Sequence, residues 1–247
     1  MNRRILMQML GLAVAAMLLG GCFDNSITRN FKIIATAVVD GQEVQGSTVI
    51  RATWTEAHSN RGNYVDEEGE AIILDLKDHG TVYVLPCLSN KDNSWYCSWA
   101  LRVAAVLEVK ENGNSAEFSK ITNAQGRYAL ATTSPNGVAQ VIAAFHDETR
   151  KNSVYGVMPT EFQKAFGPSV TFKSLEFEPT DEPVTQVLLK RLPMLGKDDP
   201  NNSYAPPIIP GHLKSLSEQS FPERIGDGYF FQPYLGKSFY ANRKQEK

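Results

Sequence analysis

Phe31-Lys32-Ile33-Ile34-Ala35-Thr36-Ala37-Val38-Val39, then Asp40-Gly41, then Gln42 to Trp54 with Val44, Val49, Ile50 and Trp54, is the stretch whose reading decides the fold. Both runs are rich in β-branched and aromatic residues, which pack well on a pleated surface. Asp-Gly between them predicts a hairpin, because a two-residue type I′ turn needs positive φ twice and glycine adopts it without steric cost. Outward toward the C-terminus, a polar, glycine-containing loop is expected over Thr55 to Gly69, with Asp66-Glu67-Glu68 and Glu70 as a solvated acidic patch; calcium binding is the alternative, but the alternating oxygen ligands of an EF-hand are absent.

A second hairpin follows. Glu70 to Lys77 leads through Asp78-His79-Gly80 into Thr81 to Leu85. The period of two places Ile72, Leu74 and Leu76 on one face and Ala71, Ile73, Asp75 and Lys77 on the other, as in a sheet covered on one side. The strand is expected to end at Pro86, which has no amide for a ladder, so Cys87 to Ser94 reads as a surface loop returning to Cys97.

Ser98 to Lys110 fits both a helical stripe and, over Val103 to Val109, a strand; its start reads as helix. Val138 to Phe145 is dense enough in apolar residues to be a central strand covered on both faces. Thr160-Glu161-Phe162-Gln163 has the pattern of a capping box, with Phe162 and Phe166 four apart on one face and Gly167-Pro168 as the stop. Val170 to Phe177 and Val184 to Leu189 read as further strands. From Pro193 onward lie 7 of the 13 prolines, so this part is not expected to build a sheet of its own. Its aromatic cluster, Tyr229-Phe230-Phe231-Gln232-Pro233-Tyr234-Leu235 with Phe239 and Tyr240, favours an extended strap over a solvated tail. The fold class expected is mostly β, an antiparallel sheet or sandwich with one or two short helices and a proline-rich C-terminal strap.

The N-terminus has a separate logic. Arg3 and Arg4 precede an apolar run from Ile5 to Leu19, too short for the roughly 20 residues of a spanning helix. The run ends in Leu19-Gly20-Gly21-Cys22, which resembles the lipobox of bacterial lipoproteins. The resemblance implies cleavage before Cys22, a diacylglyceryl thioether on its thiol and acylation of the new amine. At about 0.8 kcal/mol per buried methylene, several chains make a stable anchor where one would not. A cleaved signal peptide with a coincidental cysteine is the competing reading. Phe23 is not the aspartate that retains enteric lipoproteins at the inner membrane, so the expected site is the periplasmic face of the outer membrane, with the inner membrane as alternative. The expected division is a signal over 1–21, a lipidated tether over 22–30, a β-rich domain over 31–195 and a C-terminal extension over 196–247.

Removing residues 1–21 takes two arginines and no acid, leaving 23 basic against 27 acidic residues and a net charge of −4. The signs are interspersed, without the basic stripe of a nucleic-acid-binding domain, so no nucleic-acid partner is expected. With Cys22 given to lipid, Cys87 and Cys97 form an even pair in an oxidising compartment, and a disulfide is expected. A metal or redox site is the alternative, but Cys-x-x-Cys spacing and a neighbouring histidine are both lacking.

Several blocks occur in order: Gly69 to Leu76, Asp78 to Leu85, Phe145-His146-Asp147, Phe166-Gly167-Pro168-Ser169-Val170, Asp181-Glu182-Pro183-Val184-Thr185 and Lys190-Arg191-Leu192-Pro193. Together they resemble an uncharacterised family of proteobacterial envelope proteins, from about Phe31 to Leu195. The resemblance implies a shared exported domain and brings no activity or catalytic residue. The insert with Cys87 and Cys97 and the proline-rich tail depart from the pattern.

His58, His79, His146 and His212 are scattered, with no pair at metal-ligand spacing. His79 reads as an exposed turn residue. His146-Asp147-Glu148, just after the densest strand, is the place where a hydrolase site would lie; the other reading is a solvated turn. No nucleophile elbow, His-Glu-x-x-His or phosphate-binding glycine loop occurs. Trp95-Tyr96-Cys97-Ser98-Trp99 could offer a rigid contact surface or cover the disulfide and fill core. No catalytic residue, metal ligand or cofactor is assigned. The expectation is a lipid-anchored binding or structural module of the envelope, partnered by the membrane and by an envelope protein, with a periplasmic hydrolase as the alternative.

Overall fold

The structure, a computed structural model, describes residues 25–56, 64–89, 95–110, 115–133, 139–150, 153–193 and 240–241. Strand β1 (Ser26–Val39) and strand β2 (Gln42–Thr55) pair without interruption from Ser26 opposite Thr55 to Val39 opposite Gln42. The turn between them is the expected one, with φ of 51° at Asp40 and 76° at Gly41. The strand begins at Ser26, inside the stretch read as a tether, because Ser26 to Asn30 find ladder partners in Arg51 to Thr55.

Strand β3 (Tyr64–Glu70) continues the sheet beyond β2, so the acidic residues expected in a solvated loop lie in a strand. The chain then changes sheets within one residue, since Ala71 separates β3 from β4 (Ile72–Asp75). This corner explains Gly46 of β2. A Cβ there would lie 2.1 Å from the Ile73 carbonyl oxygen, so only glycine lets β2 and β4 approach this closely. A 3₁₀ turn over Lys77–His79 and Gly80 leads into β5 (Thr81–Ser89), completing the second hairpin.

Beyond β5 come β6 (Trp95–Cys97), helix α1 (Trp99–Val106), helix α2 (Ser115–Asn123), β7 (Tyr128–Ala129), β8 (Ala139–Phe145), β9 (Val154–Val157), α3 (Phe162–Phe166), β10 (Val170–Thr180), α4 (Leu188–Arg191) and β11 (Tyr240–Ala241). The first sheet has the order β11-β3-β2-β1-β10-β7; the second has β4-β5-β8-β9, with β6 also on β5. Every pairing between these strands is antiparallel. The fold is therefore mostly β, two antiparallel sheets with a few short helices.

One core joins the sheets: Phe31, Ile33, Ile50, Trp54 and Phe177 of the first meet Ile72, Leu74, Val82, Val84 and Ile142 of the second. Phe31 packs edge-on against both Trp54 and Phe177. The second sheet is covered on its other face too, where Ala71, Tyr83, Leu85, Val141 and Ala143 lie under Leu188 and Leu192. Strand β8 is thus the doubly covered strand its composition predicts. The β4–β5 hairpin, by contrast, is not half-covered as expected. What covers it is α4, in the stretch read as a strand over Val184 to Leu189. The Glu70 carboxylate accepts from the amides of Val187 and Leu188 and so starts a helical turn there.

Two other expectations change. At Thr160 there is no capping box: Pro159 opens a 3₁₀ turn, the threonine makes no cap bond, and Gln163 donates instead to the Pro168 carbonyl. Phe162 and Phe166 do share a face, with ring centroids 5.2 Å apart. Strand β5 does not end at Pro86 but runs to Ser89 across a bulge, the setting in which a strand tolerates proline. The helical reading of the start of Ser98 to Lys110 holds. Among the residues of the C-terminal strap, Tyr240 and Ala241 pair with Glu70 and Gly69; residues 194–239 and 242–247 lie outside the described residues.

Candidate functional site

The bulge in β5 organises a buried polar network. Val84 pairs with Ile142 and Leu88 with Gln140, so Leu85, Pro86 and Cys87 together face the single Val141. The bulge therefore takes the carbonyls of Leu85 and Cys87 away from regular β8 ladder partners in a buried place. The Gln140 side chain replaces those partners, its Nε2 donating to Leu85 O at 2.6 Å, Val141 O at 2.9 Å and Cys87 O at 3.3 Å. Its Oε1 accepts from Arg102 Nη1 at 2.6 Å, which fixes which way the amide points.

Arg102 reaches this point from α1. It is 6% exposed, its Nη2 donates to Ala131 O at 3.0 Å, and its guanidinium lies 5.0 Å from the centroid of the Trp99 ring. Trp99 is fully buried, so it fills core, as one of the two readings of the aromatic run expects. The side chains of Trp95 and Tyr96 lie outside the described residues.

The other end of α1 meets β3. Glu67, 5% exposed, accepts from Trp99 N at 3.0 Å, Ala100 N at 3.0 Å and Ser98 Oγ at 2.5 Å, while Ser98 Oγ accepts from Leu101 N at 3.1 Å. A carboxylate and a serine thus satisfy the amides that open the helix. Burial pushes the Glu67 carboxyl above its ordinary range, and the bonds from Ser98, Ala100 and Trp99 oppose the shift without cancelling it. Glu70, 3% exposed, does the same for α4. At a helix C-terminus the sign reverses, as the dipole requires: Arg29 donates to the carbonyls of Ile121, Thr122 and Ala124 at the end of α2.

Cys87 and Cys97 face each other across β5 and β6 with sulfurs 2.12 Å apart, the disulfide expected from the sequence. The bridge joins the bulge directly to the strand that leads into α1. Cys22, the expected lipidation residue, lies outside the described residues, as do His58 and His212.

His146, Asp147 and Glu148 do not converge. The His146 ring stacks on Tyr155 with centroids 4.4 Å apart. Asp147 accepts from Thr149 N at 2.9 Å and Thr149 Oγ1 at 2.6 Å, bonds that hold its carboxyl below the usual range. The nearby Ser153 hydroxyl is used within the same turn, donating to the Asp147 carbonyl at 2.6 Å. Glu148 turns away to accept from Tyr83 Oη at 2.8 Å and pairs with Arg191 Nε at 2.9 Å. Burial first, and then the Glu148 bond, push the Tyr83 hydroxyl up. The segment builds a turn and a brace to α4, with each side chain committed to a different neighbour.

His79 is not a free turn residue. Its Nδ1 lies 2.7 Å from the Phe166 carbonyl and its Nε2 3.4 Å from Asp40 Oδ2, so the ring joins the first hairpin turn to the end of α3. Asp40 Oδ1 accepts from Ser169 Oγ at 2.6 Å. The hydroxyl bonds to the carboxylate and not to the imidazole, so the trio lacks the nucleophile-to-base contact of a catalytic triad. The Ser169 bond, followed by that from His79, holds the Asp40 carboxyl below its ordinary range.

Among the described residues, no three of His, Cys, Asp and Glu are arranged to hold a metal ion. The sequence reading missed Glu67, Glu70, Arg29, Arg102 and Gln140. The signal for Gln140 and Arg102 was present: each is a lone polar residue inside an apolar run, and such a residue needs a buried partner. No family model, curated protein or solved structure matches the chain.

Proposed function

We propose that the chain is a lipid-anchored lipoprotein of the bacterial envelope, held through Cys22 at the periplasmic face of the outer membrane, whose exported sandwich serves as a binding or structural module. The observation that carries this reading is Arg3-Arg4, the apolar run to Leu19 and the Leu19-Gly20-Gly21-Cys22 ending. The Cys87–Cys97 bridge supports it, because disulfides persist in exported compartments. The commitment of His146, Asp147, Glu148 and Ser153 to separate structural bonds favours a module over a hydrolase.

The fold adds a geometric consequence. Strand β1 starts at Ser26, four residues after Cys22, and four extended residues reach at most about 14 Å. The sandwich would therefore sit against the membrane surface, within reach of partners lying close to it.

Replacing Cys22 with Ser tests the assignment in cells given a labelled fatty acid. The expected result is loss of label and a precursor that the lipoprotein peptidase leaves uncut, while the native protein is labelled and fractionates with outer membranes. Label retained by Cys22→Ser overturns the anchor; label with inner-membrane fractionation overturns the location alone.

A further inference from the structure

The Cys87–Cys97 bridge runs from the core to the solvent. Cys87, on β5, is fully buried in the cluster with Leu85, Val141 and Ala143, whereas Cys97, opposite it on β6, is exposed. A thiolate opens a disulfide by displacing one sulfur from the other along the S–S axis, so access decides which sulfur is attacked. Solvent lies behind Cys97 and packed side chains lie behind Cys87. Attack is therefore directed at Cys97, with Cys87 as the leaving sulfur.

Neither cysteine depends on the bridge for its place. On one side the Gln140 amide donates to the carbonyls of Leu85, Val141 and Cys87 and so pins the bulge, while Arg102 ties Gln140 to α1. On the other side Ser98, the residue after Cys97, donates from Oγ to the Glu67 carboxylate, which also accepts from the amides of Trp99 and Ala100. Side-chain networks thus hold both backbones when the covalent link is open, and the two sulfurs stay placed to rejoin.

We propose that Cys87–Cys97 is a thiol-exchange site, with Cys97 as the attacked sulfur, Cys87 as the resolving one and a cysteine-type thiol as the substrate. The incoming thiolate bonds to Cys97 Sγ as the Cys87–Cys97 bond breaks, and Cys87 Sγ leaves with the electron pair and takes a proton from water. In the return step Cys87 Sγ gives up that proton, attacks Cys97 Sγ and expels the bound thiol as its thiolate. One disulfide replaces another in each direction, so neither step needs a further oxidant or reductant. A charged sulfur is unfavourable in the buried position of Cys87, which makes the closed bridge the resting state. The inference is independent of the lipid anchor.

The test uses the full mature chain, oxidised and folded, with glutathione as the probe at a series of urea concentrations below the unfolding transition. Acid quenching and peptide mass spectrometry locate the glutathionyl group, which is expected on Cys97 about tenfold or more often than on Cys87. The rate of opening should change by less than about twofold across the urea series, because attack on an exposed sulfur does not require the fold to open. The fully reduced protein should keep its native near-UV circular dichroism. A bridge that only staples the fold would open through unfolding, at a rate that climbs steeply with urea. That result, glutathione on Cys87, a bridge that glutathione leaves closed, or loss of the near-UV spectrum on reduction each overturns the proposal. The resolving role has its own arm: once glutathione is removed the native protein should release the group and reclose, and Cys87→Ser should retain it. Equal retention by the two proteins overturns that role.

Discussion

Replacing Glu67 with Gln keeps the side chain's shape and removes the property α1 needs, two oxygens that both accept. Glu67 Oε1 faces the Trp99 amide and Oε2 faces the Ala100 amide and the Ser98 hydroxyl. A glutamine has one accepting oxygen, so in either orientation its NH₂ is turned toward a buried N–H. One unpaired buried donor costs about 1–3 kcal/mol. Losing the negative charge at the helix N-terminus costs roughly another 0.5 kcal/mol. Relief of burying that charge works the other way, since burial is what pushes this carboxyl up. The expected net loss is about 1–3 kcal/mol near pH 4, or roughly 2–10 °C in Tm for a domain of this size, and it is smaller at neutral pH, where that relief applies.

The pH dependence gives this prediction its sign. Because the folded pKa is raised above the ordinary value of 4.5, the Glu67 contribution is fully present below about 4.5 and declines as pH rises through the folded value. The stability difference between the native protein and Glu67→Gln should therefore shrink from pH 4 toward neutrality, other carboxylates cancelling in the comparison. Urea unfolding of both proteins across that range measures it. Equal stabilities within about 0.5 kcal/mol at every pH would refute the capping role.

Three further outcomes are expected. The protein should show no free thiol at Cys87 or Cys97 by mass spectrometry after alkylation without reduction, and reduction should cost about 2–4 kcal/mol, since the bridge closes a short loop of the unfolded chain. Glu108 has φ of 56° at the end of α1, where Val109 N bonds to Ala104 O and Glu108 N to Ala105 O, so Glu108→Gly should stabilise by about 0.5–1 kcal/mol in thermal unfolding. Asp40→Asn keeps a turn-forming residue at positive φ, but it should remove a contribution that is present above pH 3.8 and lost as pH falls through the lowered folded pKa, seen as a shallower acid limb in pH-dependent unfolding.

The strands legible in the sequence were those whose apolar period reports local geometry. Phe31 to Trp54 with Asp40-Gly41 between its two runs, Ile72 to Leu85, and the dense run ending at Phe145 each state their structure within one contiguous stretch. What could not be read locally depends on partners far along the chain. Asp66 to Glu70 look solvated because acids usually are; they form a strand because β2 supplies a ladder, and Glu67 and Glu70 are buried because two helices offer unpaired amides there. Val184 to Leu189 has strand composition, yet the Glu70 carboxylate starts a helical turn within it. Pro86 looks like a strand end because the compensating Gln140 lies more than fifty residues away. The disulfide was legible because cysteine parity is a property of the whole chain. The candidate site at His146 was not, since convergence of side chains is a property of the fold alone.

The strand-borne charges at the helix ends also order events in time. Helices α1 and α2 have eight and nine residues, below the roughly 12–15 at which an isolated helix becomes even marginal in water. The carboxylate that starts α1 lies 32 residues before Trp99, and the guanidinium that ends α2 lies 95 residues before Ala124. Neither group is in place until β1 and β3 have found their neighbours. Helix formation is therefore expected to wait on sheet assembly, at the millisecond-to-second pace of distant strand pairing and not the microsecond pace of a helix–coil transition, which stopped-flow far-UV circular dichroism would resolve.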